Sequence, residues 1–272
     1  MKAAAALLAG AAASFSFVAV LFDPGVAAAG AWTQPKGKAQ VIVKYEDMRA
    51  DEGFDPDGRR VPLMASRTDA SAGVFVEYGL TDRLTLQLKG DWQDGEDQFV
   101  DYQGRGPLEA ALVWQAWRND RGAVSVQAGY SSPGEGRNAG YEAPGQGAGD
   151  WEVRVSGGWS FSGKKPTKRW RALLSPDRTF VELQLARRIR GGLPDETRAD
   201  ITMGRHFGEN WMLLNQTYAG QTEGGVSRWV QSETSVVRRC GSWSVQAGWR
   251  NLVAGRETPA GAGPIVGVWR RF

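Results

Sequence analysis

Leu84-Thr85-Leu86-Gln87-Leu88-Lys89-Gly90-Asp91-Trp92 is the stretch that decides the fold. Its odd positions (Thr85, Gln87, Lys89, Asp91) are all polar, and its even positions are apolar or glycine. That is the two-residue period of a β-strand with one wet face and one apolar face. Val124–Tyr130, Trp151–Ser156 and Trp243–Arg250 repeat it, and helical spacing is nearly absent from residue 38 onward. The pattern predicts twelve strands, near 38–48, 67–79, 83–93, 107–117, 123–132, 150–161, 179–188, 197–207, 211–219, 228–238, 242–250 and 263–272. Ten or fourteen are also compatible, because Met212-Leu213-Leu214 is apolar at consecutive positions and Val230 to Val237 alternates loosely.

An apolar sheet face meets either a second sheet or lipid, and connection lengths separate the two. The first, third, fifth and last connections read as long, about a dozen residues or more by the long-loop habit of membrane barrels, and rich in Gly, Asp and Pro. Those at Leu80-Thr81-Asp82, Asn119–Gly122, Gly208-Glu209-Asn210 and Arg239-Cys240-Gly241 are tight. Short periplasmic turns and longer external loops are the habit of a transmembrane barrel, and an even strand count puts both termini in the periplasm. Ser162 to Arg178 breaks the rule, being long and basic with Lys164, Lys165, Lys168, Arg169 and Arg171. Either it is an extended turn, or Trp170–Leu174 continues the next strand to a bulge at Pro176.

The 272 residues allow one or two domains, and a net charge of +3 with dispersed basic residues gives no argument for nucleic acid. An apolar run from Ala3 to about Phe22, the Asp23-Pro24 break and Ala27-Ala28-Ala29 read as a secretory signal peptide over 1–29, with cleavage after Ala29 or, close behind, Ala31. Gly30 to Gly37 then forms a short periplasmic lead, with Trp32 and Pro35, that tucks under the lumen of a barrel over 38–272. Nothing after the signal reaches the roughly 18–20 apolar residues that a membrane helix needs. Cys240, the single cysteine, has no partner for an intrachain disulfide. Thirty-six glycines and twelve tryptophans suit tight turns and the membrane–water boundary.

Two segments carry a resemblance. The chain ends in Pro264-Ile265-Val266-Gly267-Val268-Trp269-Arg270-Arg271-Phe272, and a terminal phenylalanine on a strand resembles the last strand of bacterial outer-membrane barrels. Tyr78-Gly79-Leu80-Thr81-Asp82-Arg83-Leu84-Thr85-Leu86 resembles their recurring strand–turn–strand hairpin. More narrowly, it is similar to the transporter family named for the MetA pathway of phenol degradation. Gly79 is expected to supply a positive φ and Asp82 to bond its own backbone. One departure is Arg270, where such barrels usually keep an apolar or aromatic residue third from the end. The resemblance implies an outer-membrane, all-β, antiparallel up-and-down barrel that passes small solutes. It also implies assembly by the barrel-assembly machinery through the strand ending at Phe272, and an exterior against outer-membrane lipid and lipopolysaccharide.

With the apolar face outward, the lumen receives Lys44, Glu46, Glu77, Lys89, Asp91, Glu109, Glu152, Arg154, Glu182, Arg198, Asp200, Glu233 and Arg250. These residues either line a polar conduit or interlock as ion pairs that fill the barrel. Their mixed signs do not favour anionic oligosaccharides, for which arginine-dominated strips are expected. Trp92, Trp114, Trp151, Trp159, Trp243 and Trp249 fall on the outer face near strand ends, where an aromatic girdle belongs. Trp117, Trp269 and Phe75 fall on the polar register and are expected inside.

Catalysis is not expected. A lipid hydrolase needs a histidine base near the outer leaflet, and the sole histidine, His206, falls beside the tight Gly208-Glu209-Asn210 turn on the periplasmic side. One His and one Cys do not make a transition-metal site. Asp51, Asp55, Asp57 and Gly58 lack calcium-loop spacing, and Gly134 to Gly149 lacks the Gly-Lys-Ser/Thr ending of a phosphate loop. No cofactor is implied. The expectation is a channel for small solutes; the alternatives are a non-conducting accessory barrel of a surface or export system and, third, a lipid-modifying enzyme.

Overall fold

Every backbone N–H and C=O of a strand in lipid needs a partner in a neighbouring strand, so a sheet there has to close on itself. This one does. The computed structural model describes residues 30–97, 101–134, 148–163 and 176–272. The signal peptide expected over 1–29, most of the glycine-rich loop, the basic residues 164–171 and the segment Trp170–Leu174 lie outside them.

The strands are β1 (Ala39–Phe54), β2 (Arg60–Thr81), β3 (Leu84–Glu96), β4 (Asp101–Arg105), β5 (Leu108–Arg118), β6 (Gly122–Ser132), β7 (Asp150–Ser162), β8 (Arg178–Arg190), β9 (Glu196–Phe207), β10 (Trp211–Thr222), β11 (Arg228–Cys240), β12 (Trp243–Arg256), β13 (Thr258–Pro259) and β14 (Ala262–Arg271). All pairings are antiparallel between successive barrel strands, and β14 pairs with β1 from Gln40↔Arg271 to Arg49↔Ala262. Two barrel strands are interrupted. β4 and β5 lie end to end along β3, broken at Gly106-Pro107, and β13 and β14 lie end to end along β1. The fourteen segments therefore make a closed barrel of twelve strands.

Strand placement follows the expected windows, but three connections do not. The first, third and last were expected to be long loops. Instead β1 and β2 stay paired as far as Phe54↔Arg60, leaving only Asp55 to Arg59 as the turn. In the third, β4 stays paired with β3 from Trp92↔Arg105 to Glu96↔Asp101, and β13 spans part of the last connection. Beyond the bilayer both sheet faces meet water, so alternation fades while the backbone ladder continues. With 22 residues, β2 is about twice the length that a tilted strand needs to cross lipid.

The outer face is apolar. Val43, Leu88, Leu112, Val153, Leu185 and Val266 are exposed there, with Trp92, Trp114, Trp151, Trp159, Trp243 and Trp249. Trp117 is a correction. A bulge between Gln115 and Trp117 inserts one residue, which turns the indole outward to 46% exposure. Arg270 also faces outward, its guanidinium 4.6 Å from the ring centre of Trp243 and 5.3 Å from that of Phe272. A planar cation between two aromatic faces suits the membrane boundary, which accounts for an arginine at that position.

The closing seam has little tolerance. A Cβ at Gly263 on β14 would lie 1.8 Å from the backbone carbonyl oxygen of Asp47 on β1. Gly263→Ala is expected to weaken the seam and lower stability by about 1–3 kcal/mol, read as a lower denaturant midpoint for the detergent-solubilised barrel. An unchanged midpoint would show that the seam has slack.

Candidate functional site: the barrel lumen

The lumen is built in three levels. At the end holding the described chain ends, residues Gly30 to Gln34 run inside the barrel, and Pro35 to Gly37 lie exposed at its rim. Ala31 is fully buried. Its N–H donates to Glu182 Oε2 at 3.0 Å, and its carbonyl accepts from Gln115 Nε2 at 3.2 Å. The Gly30 carbonyl accepts from the Ser125 hydroxyl. Further along, the Gln34 N–H donates to Thr85 Oγ1 at 2.9 Å, and its side chain donates to Glu77 Oε2 at 2.9 Å. Buried polar groups require partners, and here the lead's backbone and the barrel wall supply them to each other.

The opposite wall of this level is apolar. Phe180, Met212, Leu214, Val237 and Trp269 form a buried cluster, against which Trp32 and Ile42 pack. Trp32 meets Phe180 edge-on, with ring centres 6.2 Å apart. Gly204 leaves room for the Phe180 ring, since a Cβ there would lie 2.0 Å from it. The consecutive apolar residues Met212-Leu213-Leu214, which blurred the strand pattern, are therefore a lumenal platform plus one lipid-facing leucine. Sequence reasoning missed this platform; the break in alternation was its signal.

The hairpin at residues 78–86 anchors the lead, by chemistry other than that expected. Gly79 is not left-handed. It is glycine because the Pro35 carbonyl oxygen would lie 2.1 Å from any Cβ there. Asp82 bonds not its own backbone but the Lys36 N–H at 3.0 Å, while the Thr81 hydroxyl accepts the Arg83 N–H at 3.2 Å.

The middle level holds two charge clusters. In one, Glu233, with no exposed surface, receives Lys44 Nζ at 2.9 Å and Arg250 at 2.5 Å, and Arg250 also bonds Glu46 at 2.6 Å. Three strands' width separates Lys44 from Glu233, so the pair reaches across the curved wall. In the other, Glu152 meets Arg154 at 2.9 Å and Arg188 at 3.0 Å, and Arg154 meets Asp200 at 2.5 Å. Lys89 and Arg188 flank Glu109, and Arg198 bonds Glu196 at 2.7 Å. All thirteen residues expected on the inward face lie there. Glu77 and Glu182 serve the lead, Asp91 lies above, and the other ten share these clusters. Arg67, Arg188 and Arg190 were missed, although each shares the inward register of its strand; their positions near strand ends, where alternation weakens, concealed them.

Above the clusters lies a cavity of about 300 Å³. Glu46, Asp69, Asp91, Arg250, Tyr102 and Trp229 are among its walls. Arg250 is already engaged by two carboxylates, and Asp91 has no salt bridge among the described residues, so this chamber is acidic on balance.

His206 lies at the terminal end, its ring 6.2 Å from that of Phe180, and among the described residues its buried Nε2 has no hydrogen-bond partner. At the other end Asp55 accepts the N–H groups of Asp57 and Arg59, so its carboxylate caps the turn.

No protein-family model matches the chain, and no curated protein does. Solved structures do match. An outer membrane channel from Pseudomonas putida F1 is 14% identical, with a TM-score of 0.67 over 91% of this chain and all of that one. The KdgM porin in complex with disordered oligogalacturonate is 9% identical, with a TM-score of 0.50 over 85% of this chain and 99% of that one. The NanC porin is 8% identical, with a TM-score of 0.50 over 84% and 98%. At these identities the likeness establishes the fold: an outer-membrane type of β-barrel.

Gly79→Ala is expected to push Pro35 away and unseat the lead while leaving the strands paired. A thiol placed at Ala31 should then react with a water-soluble maleimide at least tenfold faster than in the parent barrel, the measure of local opening. Equal reactivity would mean that the lead does not depend on this contact.

Proposed function

We propose that the chain is an outer-membrane channel for the passive passage of small solutes, of the transporter type that the hairpin at 78–86 resembles. One observation supports the reading: the charged interior contains a chamber of about 300 Å³ lined by more acids than bases, a polar space of the kind a solute path needs. The terminal end faces the periplasm in this reading, and the chamber faces outside. Lipid and lipopolysaccharide surround the apolar belt, and the strand ending at Phe272 is the segment read by the assembly machinery. The reading includes export by the signal peptide and assigns no catalytic role to His206, which lies at the wrong end for chemistry on outer-leaflet lipid.

A second reading, a non-conducting accessory barrel, draws support from the lead. Gly30 to Gln34 fills the periplasmic end through several hydrogen bonds and one aromatic contact. The two readings differ in whether that segment is a removable gate or a permanent plug. In planar bilayers the channel reading expects discrete conductance steps, enlarged several-fold when residues 31–35 are removed. Silence from both proteins would leave the accessory reading standing.

Selectivity follows from charge. Asp91→Asn removes an unpaired negative charge from the chamber and is expected to shift the reversal potential in a salt gradient toward anions. Glu109→Gln and Glu152→Gln unbalance clusters rich in arginine and should shift it in the same direction. A reversal potential unmoved by all three would place the conducting path elsewhere.

A further inference from the structure

Glu182 is a carboxylate with no exposed surface and, among the described residues, no salt bridge. Two hydrogen bonds reach it, from the Ala31 N–H and from the Gln184 side chain. A buried anion without a cation is costly, and a charged partner nearby removes much of that cost. The residue before Ala31 is Gly30, whose carbonyl is held by Ser125. A side chain there would have its Cβ 3.0 Å from Gln184 Nε2 and 3.2 Å from Ser156 Oγ. Covalent geometry keeps the Gly30 nitrogen within about 4 Å of the Ala31 nitrogen, and the latter already touches Glu182.

We propose that cleavage after Ala29 creates an α-ammonium group at Gly30 inside the lumen, and that Glu182 is its counter-ion, so processing itself locks the lead in place. The proposal rests on the exported-barrel reading but not on conductance. It also chooses between the two cleavage sites. Cleavage after Ala31 would discard the groups that bond Glu182, Gln115 and Ser125, leaving a buried carboxylate without its lead donor. Arg154 is the nearest opposing charge. It is bound to Glu152 and Asp200, and its third contact is the Gln184 carbonyl oxygen, so its charge is already offset. The α-amine thereby supplies a cation beside Glu182, which has none of its own among the described residues.

The test uses the full protein exported by a Gram-negative host and extracted in detergent. Mass spectrometry should find Gly30 as the first residue, and any other first residue overturns the proposal. Reductive ¹³C-methylation then makes the α-amine visible by NMR. In Glu182→Gln, which still accepts the Ala31 N–H, its pKa is expected to fall by about one pH unit or more, the loss of one close opposite charge. In Glu77→Gln, whose hydrogen bonds among the described residues go to Gln34 and Gln87 and not to Gly30 or Ala31, it should stay put. An unchanged pKa in Glu182→Gln, or an equal fall in both variants, overturns the pairing. If Glu182→Gln does not fold, acylation of the parent decides. The α-amine should react at least tenfold more slowly in the barrel than in urea, and equal rates overturn the proposal. None of these readings requires a current, so a silent bilayer leaves them intact.

Discussion

The pairing of β14 with β1 is the constraint on which the rest depends. Lipid offers no partner to a backbone amide, so a sheet in it cannot keep an edge. Once Gln40↔Arg271 through Arg49↔Ala262 are joined, every strand has two neighbours and the apolar face is turned outward all the way round. The inside then has to be polar by default. Buried polar and charged side chains outnumber buried apolar ones here, the inverse of a soluble core.

That inversion sets the energetics of the lumen. Glu233 with Lys44 and Arg250, and Glu152 with Arg154 and Arg188, are mutually compensated clusters rather than isolated charges. Such networks add little stability over an apolar filling, but they forbid alternatives, because removing one member leaves another buried and unpaired. They also hold strands that are not neighbours: Lys44 on β1 reaches Glu233 on β11. The chamber above is lined by more acids than bases, with Glu46, Asp69, Asp91 and Asp94 against Arg49 and Arg250.

The lead joins two unlike surfaces. Its backbone bonds a polar wall of Glu77, Thr85, Gln115, Ser125 and Glu182, while Trp32 lies on the apolar platform of Phe180 and Met212. Glycines at 79, 158 and 204 make the approach possible by removing side chains from the path of Pro35, Trp32 and Phe180.

How much was legible follows from where a rule applies. Alternation in segments such as Leu84–Trp92 and Trp243–Arg250 located the strands and the inward register of Lys44, Glu152 and Arg250, because lipid on one side and water on the other impose a period of two. Where both faces meet water, as in β1 and β2 beyond Ala50, that period disappears and a paired hairpin passes for a loop. One inserted residue before Trp117 reversed its face, which no pattern of residue types reveals. The amino-acid sequence by itself determined where the strands run and the inward register of most of their polar side chains, since these depend only on local periodicity. Only the tertiary structure decided how Gly30 to Gln34 bonds the inner wall, that Gly79 serves a close approach, and which carboxylates among the described residues lack a salt bridge. Those depend on distances between residues far apart in the chain, and such distances exist only once the cylinder has closed.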